Sequence, residues 1–307
     1  MSRIRHQGTA SPISARGLGA RLIAAALAVA VLAVACAKDG DGEPTGRIVV
    51  FGSPGGGKGR GWEVGLIPAA GGKVQRLTIV DDEFWDVAFS ADGSQVAFNP
   101  APGSDPRGIT VMTLKDRRTT VVPNQPSQDR FGSYDLAWAP DARSLAFVNG
   151  DRIFTISIDG SDLREVARGV FPTWTTDGEH IVFASGLYRG PDLDIAVIRV
   201  DGTGLRFLGR GLYPDVSPSG DEVAYSTPVG VFVQPLDGGA RRLVVRDGFG
   251  PVWSPDGRFL AFTRYTDCSG GHGPCSGRVF VVPVKGGEPR PIGPTVGDPR
   301  APEDWIR

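Results

Sequence analysis

Residues 251–262 read PVWSPDGRFLAF, and this stretch decides the fold. It is a short apolar strand ending at Trp253, a tight Ser-Pro-Asp-Gly turn, and a second strand, Phe259–Phe262. Asp-Gly between two hydrophobic runs signals a hairpin, because Gly accepts the φ > 0 conformation that a tight turn requires. A single hairpin cannot bury both its faces. The chain therefore repeats it.

Weaker copies stand at DVAFSADGSQVAF (Asp86–Phe98), DLAWAPDARSLAF (Asp135–Phe147), PTWTTDGEHIVF (Pro172–Phe183) and PDVSPSGDEVAY (Pro214–Tyr225). Most are followed by another strand and a second Gly-rich turn, as in FTISIDGSD from Phe154 and FVQPLDGGA from Phe232. The turn-aligned residue moves through Phe89, Trp138, Trp174, Val216 and Trp253, in steps of about 36 to 49 residues, which is the range of propeller blades. Each unit then supplies four short strands.

Five units carry the first hairpin. A strand and Gly turn, GLIPAAGGKVQRL (Gly65–Leu77), also precede them, with RIVVF (Arg47–Phe51) ahead as a second strand. The missing first strand of that unit is found at the other end, in PEDWI (Pro302–Ile306). The expected fold is all-β: a six-bladed propeller of four-stranded antiparallel blades over 47–307, closed by the C-terminal strand in the N-terminal blade. Closure of this kind leaves only short, protected edges. With 44 Gly and 25 Pro the composition suits many turns. A net charge of −1 gives no basic field for nucleic acid, so no nucleic-acid partner is expected.

The N-terminal segment carries Arg3, Arg5, Arg16 and Arg21 with no acidic residue before the apolar run Leu22–Ala35. That run falls short of the ~20 residues of a spanning helix and reads as a signal peptide over residues 1–35. LAVAC, ending at Cys36, resembles the lipobox of bacterial lipoproteins, which implies lipid attachment at Cys36; Ala33-Val-Ala35 also fits ordinary signal cleavage. Residues 36–46 form a polar, Gly-rich tether. The expected product is exported and membrane-anchored through lipid, facing the periplasm or the cell exterior.

Several motifs reduce to simpler readings. Asp39-Gly-Asp41-Gly-Glu43 lacks the further ligands of a calcium loop. Gly52–Lys58 nearly spells a P-loop, but Gly59 stands where the hydroxyl residue belongs, and a strand rather than a helix follows. Cys268 and Cys275 in TDCSGGHGPCSG read as a small disulfide; with His272 they make an incomplete zinc site. There is no G-x-S-x-G elbow. No cofactor, bound metal or catalytic residue is assigned.

The long connections all fall on one side of such a ring, and the tight Gly turns on the other. Just before the inner strands stand Trp85, Asp86, Tyr134, Asp135, Phe171, Tyr213, Phe249, Glu303 and Asp304; Arg189, Arg210, Arg246 and Arg264 are placed around the rim. Aromatics provide contact area and charges provide register, so this mouth is the expected docking site for an envelope protein or peptide. The competing expectation is that the aromatics only pack between blades. A second function class is a channel-mouth, metal-assisted hydrolase or lyase acting on glycans or small esters. A cluster of three or more carboxylates or histidines at the channel centre would favour it.

The unit P-x-W-S-P-D-G-(x)₃-A-F, seen best in Pro251–Phe262, resembles the TolB-type (WD40-like) propeller repeat. The resemblance covers nearly all of residues 47–307 and implies the fold; it implies a role in protein binding at the envelope less directly. TolB itself carries an additional N-terminal α/β domain before its propeller, where a short tether is expected here. Similar repeats precede the serine-hydrolase domain of prolyl-oligopeptidase-like peptidases, and no such domain is written here.

Overall fold

The computed structural model of the chain describes residues 43–52, 63–73, 75–77, 84–100, 108–126, 133–186, 193–267, 276–297 and 304–306. In chain order the first strands are β1 (Arg47–Gly52), β2 (Glu63–Pro68) and β3 (Gln75–Leu77). Blade I follows as β4 (Phe84–Phe89), β5 (Gln95–Pro100), β6 (Thr110–Thr113) and β7 (Thr119–Val121). Blade II comprises β8 (Ser133–Trp138), β9 (Ser144–Asn149), β10 (Arg152–Ser157) and β11 (Arg164–Arg168). Blade III comprises β12 (Val170–Trp174), β13 (His180–Ser185), β14 (Asp194–Arg199) and β15 (Arg206–Arg210). Blade IV runs through β16 (Leu212–Val216), β17 (Glu222–Thr227), β18 (Gly230–Pro235) and β19 (Arg242–Arg246). Blade V contains β20 (Phe249–Trp253), β21 (Phe259–Asp267), β22 (Ser276–Pro283) and β23 (Arg290–Gly297), and the chain ends in β24 (Asp304–Ile306).

These strands form six four-stranded antiparallel sheets. The sixth, blade VI, has the order β24-β1-β2-β3, with Trp305 opposite Ile48 and Asp304 opposite Val49. The two ends of the described chain thus share one blade. Among the described residues no helix is long and apolar enough to cross a membrane.

Alternation within each second strand explains why the sheets stack into a ring. In a strand, successive side chains point to opposite faces. Ile48 packs with Val252, Ala261 and Val279 of blade V, whereas Val49 packs with Val87, Phe98 and Val111 of blade I. Phe259 and Ala261 face blade VI; Leu260 and Phe262 face Val231 and Val233 of blade IV. Val223 and Tyr225 meet Val182 and Val197 of blade III, and Ile181 and Phe183 meet Val148 and Ile153 of blade II. Leu145 and Phe147 close the circuit onto blade I. Because both faces are covered, these strands read as continuous apolar runs instead of alternating with polar residues.

The repeated turn has its own hydrogen-bond logic. In blade V, Ser254 Oγ donates to Asp256 (2.6 Å) and accepts the Phe259 N–H (2.9 Å), while Gly257 takes φ 70°. Blade III repeats it with Thr175, Asp177 and His180, at 2.5 and 3.0 Å. Blade II departs twice, with Ala139 in place of the hydroxyl residue and Ala142 at φ 55° in place of Gly.

Candidate functional site

The innermost strands β4, β8, β12, β16, β20 and β24 run side by side in that order, and each enters from the face that carries the long connections. Near that entrance the register slips in the first five of them. A β-bulge re-aims a side chain at this cost in regular pairing. In four blades the bulge holds a left-handed residue: Asp135 (φ 51°), Phe171 (57°), Tyr213 (53°) and Gly250 (59°). For a bulky aromatic this conformation is strained by about 1–3 kcal/mol and must be held by its surroundings.

What holds it is an aromatic ladder across three blades. The Phe171 and Tyr213 rings lie 4.1 Å apart, Tyr213 meets Phe249 edge-on at 4.6 Å, and Phe249 meets Tyr265 at 5.8 Å. Tyr134 joins the same apolar cluster and donates its hydroxyl to the Gly150 carbonyl. Tyr134, Phe171 and Tyr213 are 8–9% exposed, so they act as packing; Phe249 and Tyr265 remain half-buried. Each ring–ring contact of this kind contributes about 0.5–1.5 kcal/mol beyond its buried area.

The carboxylates face across the seams between blades. Asp86 Oδ2 accepts the Leu136 N–H (2.7 Å) and Asp135 Oδ2 accepts the Phe171 N–H (3.0 Å). Both side chains are almost fully buried. Asp135 Oδ1 has no partner among the described residues, and desolvation raises the Asp135 carboxyl well above the ordinary carboxylate range. Asp215, which the repeat pattern did not single out, does the same work between blades IV and V: Oδ2 accepts the Trp253 N–H at 2.7 Å. Burial pushes its carboxyl up to about 7 against the opposing pull of two backbone N–H groups. Its signal was the Asp in PDVSPSG, one residue before the aligned aromatic position.

Among the rim cations, Arg210 and Arg246 are exposed at the ends of β15 and β19. The Arg264 guanidinium donates to the Arg246 carbonyl (3.1 Å) and lies 5.2–5.6 Å from the Phe280 and Phe262 ring centroids. The structure therefore brings Tyr134, Phe171, Tyr213 and Phe249 together, places Arg246 beside Arg264, and turns Asp86 and Asp135 toward neighbouring backbone. Cys36, Arg189, Cys268, Cys275 and Glu303 lie outside the described residues, as do the side chains of Trp85 and Asp304.

TolB from Acinetobacter baumannii superposes with a TM-score of 0.62 at 15% identity, over 87% of this chain and 68% of its own. The chain has the TolB-type propeller fold. An oligogalacturonate lyase from Vibrio parahaemolyticus aligns with a TM-score of 0.55 at 10% identity, over 87% of this chain and 78% of its own. An oligogalacturonate lyase in complex with manganese aligns with a TM-score of 0.53 at 13% identity, over 75% and 70% of the two chains. No family model matches the chain, and no curated protein does. At these identities the likeness concerns the fold.

One group of three metal-competent side chains occurs among the described residues: Asp177, Glu179 and His180, with ligand atoms within 4.8 Å of one another. It sits in the β12–β13 turn, on the tight-turn face, at the opposite end of the inner strands from the aromatic ladder. Asp177 there already accepts the Thr175 hydroxyl and the Glu179 N–H.

Proposed function

We propose that this propeller is a protein- or peptide-binding module of the bacterial envelope, and that it engages its partner on the loop-rich face. The observation that supports this most is the ladder Phe171–Tyr213–Phe249–Tyr265, whose last two members stay half-exposed near the Arg246–Arg264 pair. Buried aromatics fix the rim, partly open aromatics offer apolar area, and Arg210, Arg246 and Arg264 set the register of an incoming segment. Asp86, Asp135, Phe171 and Tyr213 serve as positioning groups beneath it. The TolB-type fold agrees with this reading.

Export through a signal peptide over residues 1–35, lipid attachment at Cys36 and a Cys268–Cys275 disulfide belong to the same proposal. A Cys36→Ser variant is expected to lose incorporation of labelled fatty acid. For the docking face, photo-crosslinking residues are placed at Arg210 and Arg246, with exposed Asp237 and Lys285 on the opposite face as controls. In envelope extracts, discrete adducts are expected at the first two positions only. Equal adducts at all four, or none at Arg210 and Arg246, would exclude the loop-rich face.

The second reading, a metal-assisted lyase or hydrolase, draws on the likeness to the lyases and on the Asp177–Glu179–His180 group. It ranks below the first because that group stands on an exposed turn, with Asp177 committed to the turn itself. Calorimetric titration with Mn²⁺ tests it: binding that is abolished in His180→Ala would move the enzyme reading to first place.

A further inference from the structure

The seam between blades II and III is open on the tight-turn face, where a cavity of about 440 Å³ lies between the β8–β9 and β10–β11 turns and those of blade III. That volume falls within the range of ordinary small-ligand sites, roughly 300–1,000 Å³. Its wall contains Trp174, four carboxylates (Asp141, Asp162, Asp177 and Asp201) and one guanidinium, Arg164. The Trp174 ring is fixed by its own N–H, which donates to the Ala137 carbonyl at 3.2 Å. The carboxylates are also held in place. Asp141 accepts the Arg143 and Ser144 N–H groups, and Asp201 accepts the N–H and hydroxyl of Thr203.

Other seams show what such a place accommodates. Arg242, the first residue of β19, donates to the Val284 carbonyl just beyond β22 of the next blade (2.5 Å). Arg290, the first residue of β23, donates to the Ala69 and Ala70 carbonyls just beyond β2 (3.4 and 3.0 Å). Gln95 reaches the Ala142 carbonyl between blades I and II, and Gln234 reaches the Leu208 carbonyl between blades III and IV. By position Arg164, the first residue of β11, corresponds to Arg242 and Arg290, and Val200 just beyond β14 corresponds to Val284. Val200 lines the cavity, yet Arg164 makes no such bond among the described residues. The seam is left concave, anionic and floored by an indole.

We propose that this groove binds an arginine side chain presented by a basic peptide segment of a partner, which does between blades II and III what Arg242 and Arg290 do within the chain. The guanidinium stacks on Trp174 and is neutralised by the surrounding carboxylates. The hydroxyl of Thr175 holds Asp177 below its usual range, and that of Thr203 does the same for Asp201, so both are anionic at neutral pH. This site lies on the face opposite the proposed loop-face docking rim and does not depend on it.

The test uses the full chain, with the blocked tripeptide acetyl-Gly-Arg-Gly-amide as probe and its citrulline analogue as the uncharged isostere. Binding is followed by the Trp174 indole N–H resonance and by calorimetry. The arginine probe is expected to shift that resonance and the citrulline probe to leave it unmoved. Asp201→Asn and Asp177→Asn are each expected to weaken binding about five-fold, and Arg164→Gln to strengthen it about three-fold, because one competing cation is gone. The two Asp→Asn changes lie in different turns, so loss of one turn cannot imitate both. No binding by the wild type, equal binding of the citrulline probe, or binding only in Arg164→Gln would overturn the proposal. The last result would mean that Arg164 itself fills the groove.

Discussion

The four seams from blade I to blade V are of two kinds. Between blades I and II, II and III, and IV and V, a tryptophan indole donates to a carbonyl of the preceding inner strand: Trp138 to Ala88 (2.9 Å), Trp174 to Ala137 (3.2 Å) and Trp253 to Asp215 (3.0 Å). In each of the three an aspartate of the earlier blade also accepts a backbone N–H of the later one. Between blades III and IV, Val216 stands in the tryptophan position, and neither device is present among the described residues. That seam relies on a buried relay: Tyr225 donates to Gln234 Oε1 (2.8 Å), and Gln234 Nε2 donates to the Leu208 carbonyl (3.3 Å) and to that of Gly239 (3.0 Å). The repeat fixes the shape of a blade, and local substitutions decide how one blade is joined to the next.

The largest expected effect comes from removing a stapling indole. Trp253 is 5% exposed and sits with Leu260, Phe262 and Val231. Trp253→Ala should cost about 3–5 kcal/mol in denaturant unfolding, through lost burial and the cavity left behind. Trp253→Phe keeps most of the volume and should cost about 1–2 kcal/mol, mainly from the unpaired Asp215 carbonyl. If Trp253→Phe were as stable as the wild type, the indole bond would have no part in the seam.

The carboxyl latches should give the stapled seams a pH dependence that the III–IV seam lacks. Asp215 titrates near 7 in the folded chain and near its ordinary 3.8 when unfolded, so the folded state holds the extra proton between those values. Stability from this group is full below about pH 4, falls as pH rises toward 7 and is lost above it. Asp135 acts in the same direction. Asp215 keeps some solvent contact, so its share is on the order of 1–3 kcal/mol, less than the full shift would imply. Melts at pH 5 and pH 8 should show the wild type more stable in acid, with the difference reduced in Asp215→Asn. A wild type equally stable at both values contradicts the latch.

The relay of the other seam predicts a smaller loss. Tyr225 is fully buried, and Tyr225→Phe leaves the Gln234 carbonyl oxygen without its donor. About 1–2 kcal/mol should be lost, unchanged between pH 5 and pH 8. A Trp253→Phe/Tyr225→Phe double variant separates the two seam types: its cost should equal the sum of the single costs within about 0.5 kcal/mol.

Much of this was legible in the chain because the signals are local. Asp256-Gly257 specifies its turn within four residues, and the alternating faces of Leu260 and Ala261 follow from strand geometry alone. The pairing of β24 with β1 could be read too, since PEDWI is a first strand without a second. What could not be read is where a polar side chain finds its partner across a seam. Asp86 and Asp135 look like rim carboxylates in sequence, yet their acceptor oxygens meet Leu136 and Phe171 in the following unit. Asp215 was hidden for the same reason. The groove at Trp174 was hidden because Asp141, Asp177 and Asp201 each read as the ordinary aspartate of a turn, and only assembly sets three such turns around one cavity.

The smallest effect has the opposite sign. Four repeats put Gly at the left-handed position of the first turn, as at Gly93, Gly178, Gly220 and Gly257; blade II has Ala142 there at φ 55°. An L-residue with a Cβ is disfavoured in that conformation by about 1–2 kcal/mol. Glycine relieves the strain but has more freedom to lose on folding, which returns roughly half of the gain. Ala142→Gly should therefore stabilise the ring by about 0.5–1 kcal/mol, read as a higher denaturation midpoint at unchanged slope. The Ala142 carbonyl is the acceptor for Gln95 Nε2 of blade I at 3.1 Å. If the substitution destabilises instead, the alanine is holding that carbonyl in place for the I–II seam, and the turn is part of the staple.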